Sequence, residues 1–157
     1  MTDLIKYWLP VAVWAGVIFL FSNAAFSSPH TAGFFGPWLS RFTPEITPEQ
    51  IETLHHLMRK LGHWVEYFVL SLLFARAVRN DGPSLLRETW ALWTIAFVVV
   101  SAAGDEFHQS FVPTRSASVG DVLIDSFGGL CGVFWIYLRD RRAGRPPKPS
   151  KNLTSRA

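Results

Sequence analysis

Eleven side chains in two stretches of this sequence have the types and spacing for acid–base or binding chemistry. The first stretch holds Lys60, His63, Glu66 and Tyr67; the second holds Asp105, Glu106, His108, Gln109, Arg115, Asp121 and Asp125. His63 or Glu66 could serve as a general base, with Asp105 and Glu106 as an acid pair or as metal ligands. Arg115 and Lys60 suit an anion, the guanidinium because its fork matches carboxylate or phosphate. A ready nucleophile and a recurrent ligand spacing such as H-E-x-x-H are both missing, so neither a metal nor a cofactor is expected. Each residue also has a plainer use. Asp105 and Glu106 can end a helix in headgroup water, Asp121 suits a helix N-terminus, and His63 and Tyr67 can be packing or interfacial groups. His55 and His56 read as solvated or interfacial. Glu66 and Asp125 are harder to explain that way, because each lies about one turn inside an apolar segment.

The elements that must position these residues are apolar helices. Hydrophobic residues make up 49% of the 157 residues, and the runs Tyr7 to Phe21, Trp90 to Gly104 and Phe127 to Leu138 carry no charge. Each run is shorter than the roughly 18 to 20 residues of an unaided span, so snorkelling Lys6 and interfacial Trp8, Trp90 and Trp135 must complete it. We read four segments: Leu4 to Phe21, Leu61 to Val78, Leu85 to Phe107 and Val119 to Leu138. Small residues at Ser22, Asn23, Ala24 and Ala25 give segment one a signal-like end, yet Pro10, Trp14 and a single basic Lys6 favour retention. Residues 22 to 46 have loop composition. Thr47-Pro48-Glu49-Gln50 then reads as a capped helix start, and Ile51, Leu54, Met58 and Leu61 make that helix amphipathic. It either lies along the surface or runs directly into segment two at Gly62. The predicted fold is therefore all-α: a four-transmembrane-helix bundle with an amphipathic helix in the first outer loop, covering 1–139. A basic tail over 140–157, with Pro146, Pro147 and Pro149, is expected to be disordered. The lone Cys131 permits no intramolecular disulfide.

Lys and Arg are distributed unevenly across such a bundle. With the N-terminus inside, eleven lie on that side and four, Arg41, Arg59, Lys60 and Arg115, on the other. The usual excess in cytoplasmic segments puts both termini in the cytoplasm. The basic residues flank apolar segments, so anionic lipid headgroups and not nucleic acid are the expected partner of the net charge of +3. On this topology the eleven candidate residues fall at one depth near the outer face. An ionisable group near mid-membrane costs roughly 2.5 to 3.5 kcal/mol, so the groups should turn inward and compensate one another in a shared polar pocket. Gly128 and Gly132 share a stripe with Asp121 and Asp125 and are spaced as a GxxxG contact, available to a second copy of the chain.

These stretches resemble the VanZ-like family of bacterial membrane proteins, named for a component of teicoplanin resistance. Lys60-Leu61-Gly62-His63-Trp64-Val65-Glu66-Tyr67 is similar to the family's K-x-x-H-x-x-E-Y segment. Asp105-Glu106-Phe107-His108-Gln109, Pro113 with Arg115, and Asp121 through Gly128 resemble its D-E-x-x-Q, P-x-R and D-x-x-x-N-x-x-G pattern. Thr114 stands where the family often has Gly, and Asp125 where it usually has Asn, which adds a negative charge to the pocket. The resemblance implies a multi-pass protein of the bacterial inner membrane, facing the envelope and affecting susceptibility to glycopeptides such as teicoplanin. It implies no particular reaction.

Three functions compete. The outer pocket could bind a cell-envelope lipid or precursor, or a glycopeptide. It could instead be the site of a membrane-embedded hydrolase or transferase acting on a lipid-linked phosphate, with His63, Glu66, Asp105 and Glu106 as its catalytic candidates. Or the charges could simply pack a bundle that partners other envelope proteins.

Overall fold

The computed structural model describes residues 2–22, 47–112 and 117–144, and every regular element among them is a helix. α1 spans Thr2–Phe21, α2 Pro48–Asp81, α3 Ser84–Glu88, α4 Trp90–Gln109 and α5 Val119–Arg142. All but the short α3 are long and apolar enough to cross a membrane. Their outward faces carry large apolar side chains, among them Leu92, Val100 (71% exposed), Leu123 and Phe134. Such surface is costly in water and suited to lipid tails.

α2 is the central element and packs against α1, α4 and α5, while α5 also packs against α4. Its start follows the predicted capping box: Gln50 N–H donates to Thr47 Oγ1 at 3.2 Å and Thr47 N–H donates to Gln50 Oε1 at 2.9 Å. The helix continues without a break through Gly62. Among the described residues the amphipathic stretch is thus no separate loop helix but the opening turns of the second spanning helix. At about 1.5 Å per residue, α2 is about 50 Å long against a hydrocarbon core of about 30 Å, so its polar beginning reaches beyond that core.

Segment three is divided. Thr89 leaves helical geometry (φ −104°, ψ 25°) and its hydroxyl donates to the Leu85 carbonyl at 2.7 Å. The hydroxyl shares that carbonyl with Thr89's own N–H (3.1 Å), a back-bonding arrangement that disturbs helix geometry, and α3 and α4 meet at this residue. The C-terminal boundary also moves. The helix expected to close at Leu138 runs on to Arg142, because Asp140 is held by Arg79 of α2 and, at 3.2 Å, by Arg139. The rest of the expected tail, from residue 145, lies outside the described residues, as do loop residues 23–46.

Close approach of α5 to α2 rests on glycine. A Cβ on Gly128 would overlap the Trp64 carbonyl oxygen, and one on Gly132 would overlap Ser71 Oγ and lie 2.9 Å from the Phe68 carbonyl oxygen. Gly129, one position round, meets Val98 of α4. The GxxxG face expected to join two chains is therefore buried inside one, and it holds α2 and α5 parallel and in step. Beside this seam Tyr67, Leu70, Val98 and Ala102 form the core with Val11 and Ile18 of α1. Phe74 stacks on Phe97 at 4.1 Å and meets Trp8 edge-on at 5.8 Å.

Candidate functional site

The parallel seam sets charged residues opposite one another. On α2, Arg59 and His63 are one turn apart; on α5, Asp121 and Asp125 have the same separation. Held in step by Gly128 and Gly132, they pair as two rungs: Arg59 Nη2 lies 3.7 Å from Asp121 Oδ2 and His63 Nδ1 lies 3.6 Å from Asp125 Oδ1. Both separations exceed hydrogen-bond length. Asp125 is 0% exposed, and neither of its carboxylate oxygens has a hydrogen-bond partner among the described residues.

α4 brings a third wall. Its last turn presents Asp105, Glu106 and Gln109, all buried. Gln109 Nε2 donates to Asp105 Oδ2 at 3.0 Å, an i,i+4 bond that fixes the carboxylate's orientation. Glu106 Oε2 accepts the Ser118 backbone N–H at 2.8 Å, while the Ser118 side chain caps α5 by accepting from Gly120 N–H. Glu106 therefore ties the end of α4 to the start of α5, and Asp121 sits in the first turn of α5, where the helix dipole favours negative charge. Donor atoms of His63, Asp105 and Asp125, from three different helices, all lie within 4.8 Å of one another. Sequence spacing gave no reason to expect metal ligands, because the set is assembled by the fold and not along the chain.

Next to the cluster, α1, α2 and α4 enclose a cleft of about 200 Å³. Ala15, Ile18, Phe19 and Leu70 give it apolar walls, and Tyr67, Ser101, Asp105 and His108 give it polar ones. The His108 ring lies 4.7 Å from that of Phe19, between centroids.

The fold gathers seven of the eleven candidates as buried groups: His63, Tyr67, Asp105, Glu106, Gln109, Asp121 and Asp125. His108 is half-buried on the cleft. Glu66 is half-buried, and its backbone carbonyl accepts the Trp14 indole N–H at 2.9 Å. Lys60 is exposed, outside the buried set, and Arg115 lies outside the described residues. Sequence reasoning passed over Arg59, which takes the cationic place opposite Asp121. Its signal was present: Arg59, His63 and Tyr67 recur at one-turn spacing, whereas Lys60 points to a neighbouring direction.

A family model described as VanZ/LLP1 matches residues 7–140, nearly the whole chain. The chain belongs to the VanZ/LLP1 family. No curated protein and no solved structure matches it. With four helices suited to crossing a membrane, this VanZ/LLP1 member is a multi-pass membrane protein. The match takes in all four long helices from Tyr7 to Asp140, so the buried cluster and the cleft both fall within the family region.

Proposed function

We propose that this VanZ/LLP1 protein binds the headgroup of a cell-envelope lipid or lipid-linked precursor in the cleft between α1, α2 and α4, and through it affects glycopeptide susceptibility. The cleft carries the reading. One side offers Ala15, Ile18, Phe19 and Leu70, the other Tyr67, Ser101, Asp105 and His108, and an amphiphile needs both kinds of wall within one site. The polar side presents hydroxyls, an imidazole and a carboxylate, which suits the hydroxyl and amine groups of a sugar or peptide-bearing headgroup. Arg115 would supply the contact to its phosphate. In this reading the cluster end faces out of the cell and both termini are cytoplasmic, in the inner membrane, as the excess of Lys and Arg on the termini's side supports.

Gly104 provides the test. It lines the cleft, and a Cβ there meets nothing within 4 Å, so Gly104→Leu adds bulk at the cleft without a clash at its first side-chain atom. Binding of a polyprenyl-pyrophosphate-linked muropeptide to the detergent-purified chain should fall at least about tenfold, or about 1.4 kcal/mol, in Gly104→Leu and in Arg115→Ala. Teicoplanin inhibitory concentrations in cells expressing the variants should move toward those of cells lacking the protein. Binding unchanged in both variants would remove the proposal.

A further inference from the structure

We propose that His63, Asp105 and Asp125 form a buried site for one divalent cation of borderline hardness, Zn²⁺ or Mn²⁺. The donor set is one imidazole and two carboxylates, which that class of ion accepts. Their donor atoms are already within 4.8 Å of one another. Ligands about 2.0 to 2.2 Å from a common ion lie about 3.5 Å apart, so the three need to close by about 1 Å.

Three independent features point to a cation. The first is Asp125, fully buried, whose two oxygens lack hydrogen-bond partners among the described residues and which faces His63 Nδ1 at 3.6 Å, itself buried and without a hydrogen bond among those residues. A carboxylate withdrawn from water and left in this state is costly, and a metal ion is one of the few groups that compensates it fully. The second is charge. Four carboxylates, Asp105, Glu106, Asp121 and Asp125, are buried here, while among the described residues Arg59 and His63 are the cationic groups at contact distance from them. With His63 neutral, as a ligand must be, a divalent ion restores most of the balance. The third is support around the donors. Gln109 Nε2 donates to Asp105 Oδ2, which leaves Oδ1 for an ion and resembles the outer hydrogen bonds that orient metal-binding carboxylates.

Asp105 also lines the cleft, which gives an ion both a route in and a face open to a bound oxygen. Three protein ligands leave a fourth position vacant in the tetrahedral geometry that Zn²⁺ prefers. The site does not depend on the lipid reading, since ion uptake is measured on the protein alone and Gly104→Leu should leave it intact.

The experiment uses the full chain in detergent, stripped with EDTA, dialysed, and titrated with ZnCl₂ or MnCl₂. Bound metal is counted by mass spectrometry and affinity measured calorimetrically. Saturable uptake of one ion per chain is expected. His63→Gln and the isosteric Asp125→Asn should each abolish it, and Gln109→Leu, outside the donor set, should weaken it about 10- to 100-fold. His55→Ala with His56→Ala should change nothing; loss of uptake in that variant would assign the ion to surface histidines and overturn the proposal. It is equally overturned if the wild-type chain, folded by circular dichroism and monodisperse, takes up neither ion, or if Asp125→Asn binds as the wild type does. Should Asp125→Asn fail to fold, an unweakened Gln109→Leu decides against the site.

Discussion

At the end of the bundle where α1 begins and α5 finishes, Asp81 and Asp140 keep some exposure and have close side-chain partners, whereas at the opposite end Asp121 and Asp125 are buried and face their cations beyond hydrogen-bond length. Asp81 accepts the Trp8 indole N–H at 2.9 Å, and Asp140 is held between Arg79 and Arg139. Arg79 also lies 4.9 Å from the centre of the Trp90 ring, and Arg76 5.2 Å from that of Tyr7. These are anchoring contacts, amphipathic rings and basic stems at a membrane boundary. The opposite end has Asp125 with no hydrogen bond among the described residues, and Arg59 and His63 each more than 3.5 Å from the carboxylate it faces. One end is built to be satisfied by its own residues. The other spends folding energy on groups that a ligand or ion would satisfy better.

Both ends depend on one seam, so the largest effect should come from breaking it. Gly132→Leu puts a side chain where α2 backbone and Ser71 already stand. α5 would be pushed from α2, and the Arg59–Asp121, His63–Asp125 and Arg79–Asp140 pairs would all lose register. A stability loss of about 3 kcal/mol or more is expected in detergent unfolding. Gly16→Leu on α1, where a Cβ meets nothing within 4 Å, should be neutral or slightly stabilising. Equal losses in the two variants would show that seam packing is not what holds the ends in step.

A smaller effect tests the contrast through its sign. In metal-free protein Asp125→Asn removes a buried charge that its surroundings do not satisfy, and should raise stability by about 1 kcal/mol or more. Asp140→Asn removes a partnered charge at the other end and should lower it. The same Asp125→Asn chain should lose ion uptake, which separates a strained functional group from a merely tolerated one. If both substitutions destabilise, the two ends are held by the same kind of interaction.

Much of this architecture was legible because it is local. Thr47 with Gln50 announces the start of α2, and uncharged runs mark three of the four spanning helices. Asp125 was conspicuous because it lies six residues, about 9 Å, beyond the first residue of α5. What stayed hidden depends on partners. Gly128 and Gly132 advertise a close helix contact, but a GxxxG spacing does not say which helix approaches, and α2 of the same chain takes the place. Lys60 drew attention as part of a recognisable segment, while the rotation of α2 gives the inward place to Arg59. The three donors at His63, Asp105 and Asp125 come from three helices, and no spacing along the chain encodes their meeting. The interruption at Thr89, where hydroxyl and N–H share the Leu85 carbonyl, leaves no mark in the hydrophobic pattern.

The smallest expected effect concerns salt. Arg79 and Asp140 keep 25% and 17% of their side-chain surface exposed, so their attraction is open to screening. Arg79→Ala should cost about 0.5 to 1 kcal/mol at low ionic strength. Raising salt from about 0.1 M to 1 M shortens the Debye length from about 10 Å to about 3 Å and should shrink that cost by a few tenths. The change produced by Asp125→Asn should respond much less, since a side chain with no accessible surface is not surrounded by the diffuse counter-ions that screen an exposed pair. Unfolding curves of the wild type and both variants at the two salt concentrations make the comparison. An Asp125→Asn change as salt-sensitive as that of Arg79→Ala would mean that the His63–Asp125 rung sits in bulk-like solvent, and the buried end would then differ from the anchored one only in degree.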